Sequence, residues 1–324
     1  MNAPDLRLTL ASIGEDELIS RLVQHLPQGP EVIAGPGDDC AVVRAVEPGW
    51  DQLLKTDCVV EGVHFLREAA PEQVGWKALA RVVSDVASMG GVPQHALITL
   101  VLPRELEVSW VERLYAGLRR CAETYGVSIV GGETAGGPLV MVSVSLTGKV
   151  REGRVLRRDG ARAGDVIAVT GQLGGSITGH HLSFEPRVAE AGWLVESQQV
   201  QAMMDLSDGL AKDLPRMAKA SGVEFVLEEG TLPVNPGCSA AQAWGDGEDY
   251  ELLLAIPAAA WEALAASWAA RFPEVPLTRI GTFVPMGLGE KPDFVETGWE
   301  HFVTAPPVQE LESERSHRRI QADD

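Results

Sequence analysis

The sequence has few basic residues for its length, and this shortage excludes some classes of partner. Over 324 residues, 27 Lys and Arg face 46 Asp and Glu, which gives a formal net charge of -19. Such a charge argues against non-specific binding to nucleic acid and against an anionic membrane surface. It still permits a small anionic ligand, because bound metal ions reverse the local electric field.

Cysteine is also scarce, with four residues and no C-x-x-C pair. This argues against a zinc site or a disulfide framework, and free thiols in a reducing compartment are expected. No apolar run approaches the roughly 18 residues that span a bilayer. The first residues have neither the basic nor the apolar region of a signal peptide, so we expect a cytoplasmic protein without a membrane segment.

Familiar nucleotide-binding motifs are absent too. The chain contains no G-x-x-x-x-G-K-[ST] and no H-R-D or D-F-G set, which excludes a P-loop and a protein-kinase fold. A glycine-rich stretch, 171–176, follows a predicted strand and precedes a predicted helix. Its backbone N–H groups could bind phosphate, or the stretch could be a plain tight turn.

Hydrophobic periodicity predicts an α/β protein with two halves, and the length suits two domains. In the first half we predict helices at 12–26, 71–89 and 109–125, strands at 40–45, 52–60, 95–102, 127–130 and 139–150, and loops at 33–39 and 131–133. In the second half we predict strands at 166–170, 201–204, 223–227, 250–256 and 277–283, and helices at 207–220 and 258–272. A basic, loop-like stretch marks the boundary between domains 1–150 and 151–309, and a charged tail, 310–324, is expected to fray.

What the chain does contain is a series of carboxylate-rich motifs beside small or hydroxyl residues. In order they are Gly37-Asp38-Asp39, Thr56-Asp57, Ser84-Asp85, Gly131-Gly132-Glu133-Thr134, Asp205-Leu206-Ser207-Asp208-Gly209, Gly245-Asp246-Gly247 and Glu248-Asp249-Tyr250-Glu251. Carboxylates that a fold gathers without basic partners need cations. Oxygen ligands suit Mg²⁺, which normally brings phosphates with it, so the pattern indicates a multi-metal phosphoryl-transfer site.

Each motif also has a simpler interpretation. Asp85 lies in an apolar helix, where it could bind metal or form an i,i+4 ion pair with Arg81. Asp205 and Asp208 could share one side of a first helical turn, or cap that helix. Asp38 and Asp39 could form an ordinary turn.

Taken in order, the motifs resemble those of the thiamine-monophosphate kinases, within the aminoimidazole-ribonucleotide-synthetase-like (PurM-like) superfamily. The resemblance also rests on Val60-Glu61-Gly62-Val63-His64-Phe65, Lys77-Ala78-Leu79-Ala80 and Met89-Gly90, and it covers roughly residues 12 to 305. It implies an N-terminal α/β sheet domain that pairs with a second subunit in a dimer barrel, and a C-terminal α/β domain.

The resemblance further implies the residues of the site, each taken from its position in a motif. The implied Mg²⁺ ligands are Asp39, Thr56, Asp57, Asp85, Glu133, Asp205 and Asp208. The implied ATP contacts are Tyr115, Gly132, Arg158 and Ser207, and the implied contacts to thiamine monophosphate are His64, Glu248 and Trp299.

Four features depart from the family pattern, the mildest being Asp246 in place of the first Gly of the family's Gly-Gly-Glu-Asp motif. Glu133 stands where the family usually has Asp, and Lys55 stands where it usually has Ser or Thr. The stretch after Ser176 is short and lacks a helical segment that most members carry.

The implied chemistry needs little acid–base help. A phosphate monoester is already ionised at pH 7, so no general base is expected, and several Mg²⁺ ions would neutralise and align the two polyanions. We therefore expect direct transfer from ATP to thiamine monophosphate by a homodimer. Another ATP-dependent enzyme of the superfamily and a non-catalytic binder of nucleotide or thiamine phosphate remain alternatives.

Overall fold

The computed structural model describes residues 32–34, 37–45, 47–290 and 298–299. In this part of the chain the strands form two sheets, one from each half of the sequence. Among these residues, no helix is both long and apolar enough to cross a bilayer. The predicted helix at 12–26 and the tail at 310–324 lie outside the described residues.

The first sheet has the strand order β1-β2-β3-β6-β4-β5. Its strands are β1 (Val32–Ala34), β2 (Ala41–Arg44), β3 (Trp50–Val60), β4 (Val92–Leu102), β5 (Ser128–Gly136) and β6 (Met141–Arg151). The pairing is antiparallel except between β4 and β5. Burial alternates along β3 and β4, so one face of the sheet is covered and the other is open in this chain.

Helix α1 (Pro71–Ser88) covers the inner face of this sheet and is itself buried on almost every side. Pro71 suits its first turn, and apolar residues such as Leu79, Val82 and Val86 recur at helical spacing. Helix α2 (Val108–Tyr125) packs closely against it. A Cβ on Gly117 would lie 1.9 Å from a backbone oxygen of α1, so the absence of a side chain permits the crossing.

The second sheet has the strand order β8-β10-β7-β11-β9 and is antiparallel at every pairing among the described residues. Its strands are β7 (Val166–Thr170), β8 (Ala202–Asp205), β9 (Glu224–Leu227), β10 (Leu252–Ile256) and β11 (Leu277–Val284), and its helices are α3 (Val188–Ser197), α4 (Leu210–Ser221), α5 (Ala240–Gly245) and α6 (Ala258–Arg271). Helices cover both faces, which buries β7, β8 and β10 completely. Helix α1 also contacts β8 and α3, and in this way it brings the two halves together.

The predicted two-part α/β architecture is confirmed, and several local predictions are corrected. Ile33 and Ala34 belong to β1 rather than to a loop. The predicted loop at Gly131-Gly132-Glu133 is part of β5, because β4 supplies a parallel partner for it. Helices α3 and α5 were not predicted from the sequence. The boundary between residues 150 and 151 stays a prediction.

Candidate active site

Three carboxylates from distant parts of the sequence gather at the junction of the two halves. Asp39, Asp85 and Asp205 each offer an oxygen, and these oxygens all lie within 4.8 Å of one another. The three side chains are buried. Buried carboxylates at this spacing have the oxygen donors and the charge that a hard divalent cation requires, so the residues fit Mg²⁺.

Each carboxylate is placed by a rigid element. Asp39 precedes β2, Asp85 lies in α1, and Asp205 is the last residue of β8. Two serines one turn apart on α1 complete the arrangement: Ser84 Oγ donates to Asp205 Oδ2 at 2.6 Å, and Ser88 Oγ donates to Asp39 Oδ2 at 2.8 Å. Because α1 carries Ser84, Asp85 and Ser88, a single helix fixes the positions of all three carboxylates relative to one another.

Three cations surround the cluster. Lys55 Nζ lies 2.8 Å from Asp85 Oδ1, and Arg158 Nη2 bonds to Asp39 Oδ1. Arg81 Nη2 lies 3.0 Å from Asp57 Oδ2 and its Nη1 donates to the carbonyl of Cys58 at 2.8 Å. The ion pair between Arg81 and Asp85, which the sequence left open, is therefore replaced by two pairs that join α1 to β3.

The electrostatics of the cluster favour an added cation. Burial and the negative charge of Asp39 raise the pKa of Asp205 to about 7. Burial alone would lower the pKa of Lys55, but the charges of Asp85 and Asp57 outweigh it and raise that pKa, so the ammonium group stays charged. Asp205 accepts from the neutral Ser84 hydroxyl, and a metal ion would stabilise its ionised form.

Asp208 lies in the loop that leads from Asp205 into α4, and Arg216 holds its side chain. The loop is shaped by Asp213, whose Oδ2 accepts from the N–H groups of Ser207 at 3.1 Å and Asp208 at 3.0 Å. Gly209, the residue at the start of α4, has no side chain to cap the helix. Asp213, in the first turn, instead fixes the loop that precedes the helix.

Two of the three predicted substrate contacts meet at a fully buried lysine. Lys77 Nζ donates to the carbonyl of His64 at 2.6 Å and to Glu248 Oε2 at 2.7 Å, and it contacts His181 Nδ1 at 2.7 Å. Burial opposes ionisation of Glu248, but the His181 hydrogen bond and the charges of Lys77 and Arg81 lower its pKa to about 2. Glu248 is thus a fixed, ionised carboxylate.

The segment that carries Glu248 is strained and is tied to the Asp205 loop. Glu248 and Tyr250 have φ angles of 64° and 52°, which non-glycine residues rarely adopt. The N–H of Glu248 donates to the Ser207 carbonyl at 2.7 Å. Trp299, the third predicted substrate contact, joins the same loop, since its N–H donates to the carbonyl of Asp208 at 3.1 Å.

The structure places two predicted metal ligands away from this cluster. Thr56 follows Lys55 on β3 and points to the opposite face of the sheet, where its Oγ1 bonds to Ser145 Oγ at 3.1 Å. Glu133 is exposed on β5 and accepts from the N–H of Thr134. Their side chains do not join Asp39, Asp85 and Asp205 within this chain. Metal binding by the seven predicted residues stays a prediction.

The predicted nucleotide contacts are divided between two places. Ser207 and Arg158 adjoin the carboxylates, whereas Tyr115 lines a groove of about 590 Å³ between α2 and β5. Gly132 lies further along β5, where a Cβ would meet the carbonyl of Ile98 at 1.8 Å. Close strand packing therefore requires this glycine whatever else it contacts.

The glycine-rich stretch 171–176 is a tight turn. The N–H of Gly174 donates to Asp249 Oδ1 at 3.1 Å and the N–H of Gly175 donates to Asp246 Oδ2 at 2.8 Å. These donors are already used by carboxylates of the chain, and the helix predicted after them is only a 3₁₀ turn, Ser176–Thr178. The alternative of a phosphate-binding helix start is therefore wrong.

Comparisons with known proteins agree with this arrangement. Residues 37–150 match the model for the N-terminal domain of AIR synthase related proteins, and residues 185–289 match the model for the C-terminal domain. A thiamine-monophosphate kinase of Rhodopirellula baltica is 37% identical over 83% of this chain and 89% of its own length. One of Aquifex aeolicus is 36% identical over 91% of this chain and all of its own length.

The chain belongs to the thiamine-monophosphate kinase family. A solved structure described as AaThiL complexed with AMPPCP and TMP is 33% identical, covers 92% of this chain and all of its own, and has a TM-score of 0.79. This confirms the PurM-like fold that the motifs predicted.

Some members of the site carried a weaker sequence signal than the kinase motifs. Ser84 and Ser88 were visible only as small residues beside Asp85, and Asp213 only as an acidic residue in a first helical turn. Lys77 and His181 lie 104 positions apart, so their contact depends on the fold and no local pattern indicates it.

Proposed function

We propose that the protein transfers the γ-phosphoryl group of ATP to thiamine monophosphate, giving ADP and thiamine diphosphate. The observation that carries the proposal is the set of three buried carboxylates whose oxygens lie within 4.8 Å of one another, beside a loop that fixes an ionised Glu248. The similarity to a structure complexed with AMPPCP and TMP supports both substrates.

Mg²⁺ is the proposed metal, and Asp39, Asp85 and Asp205 would hold it. When bound, Mg²⁺ neutralises the phosphates and lowers the repulsion between donor and acceptor. We extend the proposed ligand set to Asp57 and Asp208, whose arginine partners could give way. Thr56 and Glu133, on the outer face of the first sheet, are proposed as ligands of further ions and do not share the ion held by Asp39, Asp85 and Asp205.

The residues of the chain position the two phosphates rather than move protons. An ionised oxygen of the acceptor phosphate forms the new bond to the γ-phosphorus, while the bond from that phosphorus to the ADP oxygen breaks. No proton needs to be removed from the acceptor at pH 7, so no general base is required. Arg158 and Ser207 would contact the ATP phosphates, with Tyr115 and Gly132 nearer the base.

Glu248 would recognise the other end of the acceptor. The thiazolium ring of thiamine is a cation, and a carboxylate kept ionised by Lys77 and His181 is a suitable partner for it. His64 adjoins the same lysine, and Trp299 adjoins the Asp208 loop. We place both at this end of the site.

We further propose a homodimer formed through the open face of the first sheet. This face carries Leu54 and Leu97, which are 40% and 50% exposed, as well as Thr56. A second copy would cover the apolar residues and bring its own polar ones to the same surface. The four cysteines are free thiols, which suits a reducing compartment such as the cytoplasm.

The direct test is a chromatographic assay of the purified protein with ATP, Mg²⁺ and thiamine monophosphate. The proposal predicts thiamine diphosphate and ADP in equal amounts, with no labelled phosphoenzyme when γ-labelled ATP is used. Binding of both ligands without turnover would support the non-catalytic alternative. Failure to bind thiamine monophosphate would point to another ATP-dependent reaction of the superfamily.

A further inference from the structure

Lys55 places a positive charge inside the carboxylate cluster. Strand β3 alternates faces, so Leu53, Lys55 and Asp57 point inward toward α1 while Leu54 and Thr56 point outward. The ammonium group reaches Asp85 Oδ1 at 2.8 Å, and 23% of the lysine side chain is exposed. The sheet thus supplies Lys55 to this ion pair, and α1 supplies Asp85.

The charges around the cluster are nearly paired without any metal. Asp85 faces Lys55, Asp57 faces Arg81, and Asp39 faces Arg158. Asp205 is the exception, since its partner is the neutral hydroxyl of Ser84. A divalent ion held by Asp39, Asp85 and Asp205 would therefore complete the compensation. A second divalent ion at Asp85 would meet an ammonium group already in contact with that carboxylate.

We propose that Lys55 serves as a fixed counter-ion that takes the place of one divalent cation at Asp85. The inference rests on the proposed metal site and adds to it the number of ions that the site holds. A lysine ammonium is compact, carries three donors and is tethered to the chain, so it neutralises Asp85 without being captured from solution. Lys55 is accordingly a positioning residue, which acts on the metal ligands and not on the substrate.

The test counts bound metal ions, and it does not depend on turnover. Mn²⁺ binding is measured by electron paramagnetic resonance and calorimetry on the full chain, alone and with a non-hydrolysable ATP analogue. Lys55→Met removes the charge at similar length, and Lys55→Ser removes both the charge and the bulk. Lys55→Arg keeps the charge, and Lys219→Met removes a lysine from an exposed position on α4.

We expect Lys55→Met and Lys55→Ser to bind one more Mn²⁺ per chain than the wild type, while Lys55→Arg and Lys219→Met keep the wild-type number. The same two variants should gain more in melting temperature from saturating Mn²⁺ than the wild type does. An unchanged number of ions in both charge-removing variants, with folding verified by circular dichroism, would overturn the proposal. If only one of the two folds, its ion count decides.

This outcome is separable from the fate of the proposed function. A gain of one ion in a protein that fails to make thiamine diphosphate would support the role of Lys55 and reject the kinase activity. An active kinase with no gain of an ion would do the reverse. Absence of Mn²⁺ binding in every variant would reject the metal site itself, and with it the role of Lys55.

Discussion

The pKa values of single residues in this site depend more on their neighbours than on the type of side chain. Glu248 is half-buried and the adjacent Asp249 is buried, and their pKa values move in opposite directions, to about 2 and about 8. Glu248 has cationic and hydrogen-bonding partners, whereas Asp249 has one backbone donor and a second oxygen with no hydrogen-bond partner among the described residues. The difference separates Glu248, the proposed recognition residue, from Asp249, which has a structural role.

Glu248→Gln should weaken recognition of the cationic end of the acceptor. We expect the KM for thiamine monophosphate to rise about 10-fold or more, which corresponds to about 1.4 kcal/mol, with a much smaller change in the KM for ATP. Steady-state kinetics with each substrate varied in turn measures both. Glu229→Gln, at an exposed position, is the matched control, and an equal rise in both KM values would contradict the assignment.

Asp249 should make stability depend on pH. Burial and the charge of Asp246 raise its pKa from 3.8 to about 8, so between these values the folded state keeps a proton that the unfolded state releases. The free energy of unfolding therefore falls as pH rises through this window, by up to about 1.4 kcal/mol per pH unit. Asp205 and Asp213 change the free energy of unfolding in the same direction. Glu248, whose pKa is lowered, affects it only at pH values below the ordinary pKa of a glutamate.

The Asp249→Asn variant should lack the contribution of about one proton that Asp249 makes to this pH dependence. Urea unfolding of the metal-free protein between pH 5 and pH 8 should give a shallower slope in the variant than in the wild type. Asp205 and Asp213 are unchanged in the variant, so the difference isolates Asp249. Identical slopes would show that Asp249 is already ionised in the folded protein.

At the scale of elements, helix α1 determines the site, because it supplies Asp85, both serines and Arg81. Its position depends on close packing against α2, where Gly75 and Gly117 face backbone atoms of the other helix at less than a normal Cβ distance. The helix itself could be predicted from its periodicity. Its role as the common support could not, because that depends on contacts with β3, β8 and α2 that are remote in sequence.

Gly117→Ala should therefore destabilise the protein. The new Cβ would lie 1.9 Å from the carbonyl oxygen of Glu72, and the two helices would have to separate. We expect a loss of about 1–3 kcal/mol in the free energy of unfolding, measured by urea titration. Gly192→Ala on α3, where a Cβ meets no atom within 4 Å, should instead be neutral or stabilising by up to about 1 kcal/mol. Equal effects of the two changes would contradict this account of the crossing.

Prediction of the elements succeeded where periodicity was strong and failed where a neighbour decides the conformation. The stretch Gly131–Gly136 has the composition of a loop, but β4 offers it a parallel partner and it becomes a strand. The turn at 171–176 has the composition of a phosphate loop, but Asp246 and Asp249 take its donors. The three clustered carboxylates belong to motifs that the sequence singled out, whereas the pairing of Lys55, Arg81 and Arg158 with Asp85, Asp57 and Asp39 depends on the fold.

At the scale of the whole molecule, the two halves contribute different parts of one site. The first half supplies Asp39, Asp85 and the cations on β3 and α1, and the second supplies Asp205 and Glu248. The open face of the first sheet exposes apolar residues that a second copy of the chain would cover. The proposed assembly is a dimer in which the first sheets of the two copies face each other.

Leu97→Arg should disrupt that dimer. Leu97 is 50% exposed on the open face of β4, and a second copy would bury it. We expect light scattering to give twice the chain mass for the wild type and a single chain mass for the variant. Val108→Arg, at a residue 73% exposed at the start of α2, should leave the dimer intact. A monomeric wild type would contradict the proposed assembly.

The central claim is that the carboxylate cluster carries phosphoryl transfer from ATP to thiamine monophosphate. It is tested most directly by the rate of thiamine diphosphate formation in a single turnover, for the wild type and for Asp205→Asn, over a range of Mg²⁺ concentrations. We predict a Mg²⁺-dependent reaction in the wild type and a loss of at least about 100-fold in the variant that added Mg²⁺ does not restore. A wild type that forms no thiamine diphosphate, or a variant that matches its rate, would contradict the account.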